Sequence, residues 1–110
     1  MDEGADKNIN TPITKRLKEA RKAIGISQKN LGIAAGIDEF SSSPRMNQYE
    51  TGKHMPDYSV LVRIAKVLNV PPAYFYAEDD MLAEIIRLYG ALPKTDQHNL
   101  FALIKKFAAN

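Results

Sequence analysis

The chain has 110 residues, 45% of them hydrophobic, a formal charge of +2 and no cysteine, which suits one domain around a single core. Without cysteine neither a disulfide framework nor a thiolate metal site is available, so the expected compartment is the reducing cytoplasm. The longest apolar runs, Ala73 to Ala77 and Leu100 to Ile104, fall far short of the roughly 20 residues a membrane span needs; no secretion signal is recognised and no membrane role is expected.

Residues 1–10 are polar and mixed in charge and read as a flexible N-terminal arm. Thr11 can cap and Pro12 can open a first helix, in which Ile13, Leu17, Ala20 and Ile24 follow helical spacing until Gly25. Ser27 offers an acceptor to the free amides of a second helix starting at Gln28, and Gly36 can close it in the left-handed conformation. Leu31, Ala34 and Ala35 form its apolar stripe, while Gln28, Lys29 and Asn30 gather donors suited to a phosphate at its start.

A third helix is expected to open at Ser42 or Ser43, with Pro44 in its first turn, and to end at Gly52. That start leaves five residues, Asp38 to Ser42, between Ile37 and Ser43, a longer turn than the usual 3 to 4 or so. Met46, Tyr49 and Glu50 then face inward, and Ser43, Pro44, Asn47, Gln48 and Thr51 face outward. Asn and Gln are the side chains that hold adenine through two hydrogen bonds, Ser serves several bases, and an apolar group such as Pro44 can touch a thymine methyl. In isolation the same face would be an ordinary solvated one.

Asp57 caps a fourth helix carrying Val60, Leu61, Ile64, Ala65 and Leu68, with Asn69 as its stop. Pro71 and Pro72 start a short fifth helix whose Tyr74, Phe75 and Tyr76 read as core plugs. Glu78, Asp79 and Asp80 cap a further helix with Met81, Leu82, Ile85, Ile86 and Tyr89 on one face and Gly90 at its end. A last helix, capped by Thr95, carries Leu100, Leu103, Ile104 and Phe107. This C-terminal hairpin, residues 79–110, either covers the core of its own chain or forms a dimer interface.

Residues 14 to 56 hold eight Lys or Arg against four Asp or Glu, so positive charge is concentrated around the second and third helices. Catalysis finds no support. His54 and His98 lack neighbours at metal-ligand spacing, Ser41 to Ser43 lack the frame of a nucleophile elbow, and no glycine-rich phosphate loop occurs. No enzyme, metal or cofactor is expected.

At Gly25-Ile-Ser-Gln28 with Leu31 and Ala34, at Gly36-Ile37, at Gln48-Tyr-Glu-Thr-Gly-Lys53 and from Leu61 through Phe75, the chain resembles the phage repressor and Cro-like helix-turn-helix family, the Xre group. The likeness covers about residues 13 to 76. It implies an all-α fold, a five-helix DNA-binding domain over residues 11–78, with the third helix in the major groove of double-stranded DNA and the second across the backbone. Base edges would fall to Ser43, Pro44, Asn47 and Gln48, and phosphates to Gln28, Lys29, Arg45, Thr51, Lys53 and His54. Arg21 and Glu50 each place a charge within an apolar stripe, so they are expected to pair across the first and third helices, as the family likeness also implies. The function expected is a sequence-specific transcriptional regulator, a repressor at a two-fold operator acting as a homodimer. The alternatives are an antitoxin-type protein whose C-terminal helices bind a partner, or a helix-turn-helix protein-interaction module.

Overall fold

The computed structural model describes residues 11–110; the arm expected over residues 1–10 lies outside the described residues. The fold is all-helical: α1 (Ile13–Ile24), α2 (Gln28–Ala34), α3 (Glu39–Thr51), α4 (Tyr58–Leu68), a 3₁₀ helix (Pro72–Tyr76), α5 (Asp80–Ala91) and α6 (Lys94–Ala108). Local chemistry sets most of these ends. The Thr11 hydroxyl accepts from Ile13 N–H, Ser27 from Asn30 N–H, Asp57 from Val60 N–H and Asp79 from Leu82 N–H, each satisfying an amide the helix leaves free.

The start of α3 departs from the sequence expectation. The helix begins at Glu39, capped by Asp38, and Ser42, Ser43 and Pro44 lie inside it. The turn from α2 is therefore the four residues Ala35 to Asp38, an ordinary helix-turn-helix length, and no long turn exists. Proline in a helix removes the bond to the carbonyl four residues back, here that of Phe40. That carbonyl sits on an exposed turn where water can serve it, so Pro44 did not have to mark a helix start. The Ser42 hydroxyl, read as a capping group, instead donates to Lys29 O at 2.6 Å.

One core unites α1 to α4 and the 3₁₀ helix. Leu17, Leu31, Met46, Leu61, Ile64 and Phe75 are fully buried at its centre. Tyr74 is buried edge-on against Phe75, whereas Tyr76 stays half-exposed and plugs nothing. Ile24, expected in the inward stripe of α1, is also half-exposed, because Gly25 ends the helix there. The buried polar member of α1 is Arg16, 2% exposed. Its Nε donates to Ala77 O, its Nη2 to Glu78 O and its Nη1 to Glu19, with Asp80 at 3.0 Å.

Of the two C-terminal helices it is α5 that docks on the core, and by a different stripe from the one expected. Ala83 is buried and Ile86 half-buried against the core, while Met81, Leu82, Ile85, Leu88 and Tyr89 remain exposed. Close approach decides this choice: a Cβ on Gly90 would lie 2.5 Å from Pro71. Gly90 is thus a contact point and not a stop, and α5 runs on to Ala91. The last helix starts at Lys94 without a side-chain cap, so Thr95 is not its cap, and it buries no residue.

Candidate nucleic-acid interface

Helices α2 and α3 meet through a small residue. A Cβ on Gly32 would stand 2.0 Å from Ser42 Oγ and 3.0 Å from Met46 Cγ, so only glycine permits this crossing. Gly36, at φ +90, turns the chain in a conformation most residues avoid. Across the turn, Arg63 Nε donates to Ala35 O at 2.7 Å and ties it to α4. The angle between the two helices is fixed by packing and by these bonds together.

A polar chain then holds the outer end of α3. Arg21 and Glu50 meet in a two-point ion pair, Nε to Oε2 at 2.5 Å and Nη2 to Oε1 at 3.1 Å, with Arg21 Nη1 also donating to Ile26 O. Glu50 is buried, and such forked pairing is what makes its burial tolerable. Gln28 Nε2 donates to Glu50 Oε1 at 3.1 Å and to Asn47 Oδ1 at 3.3 Å. The network therefore runs from α1 through α3 and α2 to Asn47, and presets that amide's position.

Beyond this network, Ser43, Pro44, Arg45, Asn47 and Thr51 are exposed and Gln48 is half-exposed. Pro44, Asn47, Gln48 and Thr51 share the outward face of α3, opposite Ser42, Met46 and Tyr49. Lys29 is exposed on α2, and Lys53 and His54 lie in the loop after α3. His54 N–H donates to Gln48 O, and Arg45, Gln48, Tyr49, His54 and Met55 line a shallow polar hollow of about 270 Å³. The Thr51 hydroxyl is spent on Gln48 O within its own helix.

Three residues that shape the fold or its outward surface escaped the sequence reading. Arg16 was passed over because the acceptors that permit its burial, Ala77 O and Glu78 O, are backbone atoms some 60 positions away. Gly32 gave no turn signal. Phe40 was placed in the loop, but it stands on the first turn of α3 with 87% of its surface exposed. The Asp38–Glu39 pair at a helix start was the available signal for that turn.

Among the described residues no group of His, Cys, Asp or Glu could hold a metal ion, and no helix is long and apolar enough to cross a membrane. The arrangement offers exposed amides, hydroxyls and cations on a packed helix pair.

Residues 17–75 match the helix-turn-helix family model, and the chain belongs to this family, the Xre/Cro-like helix-turn-helix group. It is 30% identical over 70 residues to an uncharacterised HTH-type transcriptional regulator of Sinorhizobium medicae (strain WSM419), and equally so to one of Rhizobium meliloti (strain 1021). In both cases 64% of this chain and 48% of the relative are covered, so the chain spans about half the length of these curated relatives. The crystal structure of the transcriptional regulator BswR is similar with a TM-score of 0.79 and 44% identity, covering 84% of this chain and 92% of that one.

Proposed function

We infer that the chain is a sequence-specific DNA-binding transcriptional regulator, a repressor that occupies a two-fold operator as a homodimer. The observation that carries this reading is the outward face of α3, where Pro44, Asn47 and Gln48 stand on a helix pinned through Gln28, Glu50 and Arg21. The Asn47 amide, held by Gln28, loses little freedom on meeting an adenine edge. Lys29, Arg45, Lys53 and His54 flank that face and supply the phosphate contacts that set register, with Gln28 and Thr51 at its margins.

One α3 reads only a few base pairs, and two-fold sites repeat about every 34 Å. The hairpin supports a second copy: Phe101, Leu103, Ile104 and Phe107 on α6 are exposed, as are Met81, Leu82 and Ile85 on α5. Together with Pro71, Ala73 and Tyr89, the two helices line an apolar hollow of about 480 Å³. Apolar side chains suit a self-complementary contact better than like charges do. The same uncovered face also fits the antitoxin-type reading, in which a different protein occupies it.

Duplexes selected from a random pool test the reading. Affinity for them should fall linearly on a log–log plot against salt, by roughly 0.9 per phosphate neutralised. Lys53→Ala should flatten that slope by about one without altering base preference, and Gln48→Ala should relax preference at one base pair at a cost of about 1 to 3 kcal/mol. Equal binding of wild type and Gln48→Ala to selected and random duplexes overturns the base-reading role. Light scattering of the free protein separates a homodimer from a monomer awaiting another partner.

A further inference from the structure

We propose that Phe40, on the extra N-terminal turn of α3, is a specificity-determining residue that packs its ring on a thymine methyl in the major groove. The proposal rests on the DNA-binding reading above. With 87% of its surface exposed, Phe40 is the most exposed large hydrophobic side chain among the described residues, and it contributes nothing to the core. Its place is nonetheless fixed, because its own N–H is held by the Asp38 carboxylate at 3.0 Å. Two residues later Ser42 anchors the helix to Lys29 O, so the ring is carried by a helix tied to its neighbour.

Phe40 precedes Pro44 by four residues, Asn47 by seven and Thr51 by eleven, and so falls on the same outward face. The N-terminal residues of a reading helix are those that reach base edges, and here that N-terminal end lies about one turn before Ser43, at Glu39 and Phe40. Phe40 and Pro44 form an apolar strip ahead of the amides of Asn47 and Gln48. Within the major groove the apolar feature available to such a strip is the thymine methyl. Charge argues for base edges over backbone at this end: Asp38 and Glu39 open the helix, and two carboxylates repel a phosphate. The apolar ring suits a position over the groove floor beside a thymine methyl.

The test uses the full chain and duplexes that it selects from a random pool, with each thymine replaced in turn by deoxyuridine, which lacks only the methyl. A buried methyl is worth about fourfold in affinity. Wild-type protein should lose about that factor at two or more positions per half-site. Phe40→Ala should erase the penalty at one of them and leave the others; Pro44→Ala should erase a different one. The melting temperature of Phe40→Ala should match wild type, since the ring is exposed. Retention of every wild-type penalty by Phe40→Ala overturns the proposal while the DNA-binding reading stands, as does a change in its mass in solution, which would assign the ring to a protein contact. Failure of the wild-type chain to enrich any sequence overturns both.

Discussion

The helices from α1 to the 3₁₀ turn and the C-terminal pair α5 and α6 are both rich in apolar residues but meet opposite fates. In the first region each element finds a partner within the chain: Leu17, Leu31, Met46, Leu61 and Phe75 are sealed from water. In the hairpin only Ala83 is buried, and α6 buries nothing, with Phe107 71% exposed. An amphipathic pattern states that a face lacks a cover. Which surface covers it depends on where the neighbouring helices stop, and here the first region is closed by Tyr74, Phe75 and Ala77 before the hairpin begins.

The widest separation between the two regions should appear when the polar network of the first is cut. Arg21→Ala strands the Glu50 carboxylate, whose side chain is 3% exposed, and should cost about 3 to 5 kcal/mol in urea unfolding. Adding Glu50→Gln should restore part of that loss, since the buried charge is then gone. An unchanged midpoint for Arg21→Ala would mean that the first region does not depend on its network.

A smaller effect probes the joint between the regions. The Asp80 carboxyl is held below the usual aspartate range, first by the hydrogen bond from Lys15 and then by that from Arg16. Asp57 is held down too, first by Val60 N–H and then by the Ser59 hydroxyl. A carboxylate with a lowered folded pKa stabilises the fold above its unfolded value, near 4, and that contribution is lost as pH falls through the folded value. Asp57→Asn and Asp80→Asn should therefore differ from wild type in urea midpoint at pH 7, and the gap should shrink progressively as the pH falls below about 4. A gap that stays constant there would show that charge is not what these side chains contribute.

Removing α6 should have the least effect on the monomer. A chain ending at Leu92 keeps Ala83 against the core and Gly90 against Pro71, so its unfolding free energy should lie within about 0.5 kcal/mol of the full chain measured as a monomer. Light scattering of both chains sharpens the comparison: the full chain should be dimeric at high micromolar concentration and the shortened one monomeric. A large loss of monomer stability would show that α6 does cover its own core.

Short-range chemistry was legible in the sequence. Ser27, Asp57 and Asn69 mark their helix ends, and the inward set Met46, Tyr49 and Glu50 follows from the period of α3, because caps and periodicity act over one or two turns. Even the Arg21–Glu50 contact could be anticipated, since a charge within an apolar stripe demands a counter-charge. Pro44 misled at the start of α3, because a proline signals only that one amide is dispensable, and an exposed helix interior can also dispense with it.

What the tertiary structure decided involves atoms far apart in the chain. Arg16 bonds to carbonyls about 60 residues away, Gly32 matters only because Ser42 crosses it, and Gly90 only because Pro71 does. Backbone carbonyls carry no mark in a sequence, and a close crossing is a property of two helices at once. The sequence by itself determined that the chain is helical, the caps at Thr11, Ser27, Asp57 and Asp79, and the outward placement of Pro44, Asn47, Gln48 and Thr51 on α3. The angle at which α3 is offered, the extra turn that exposes Phe40 and the choice of hairpin face were left to packing, because each depends on which surfaces meet at van der Waals distance.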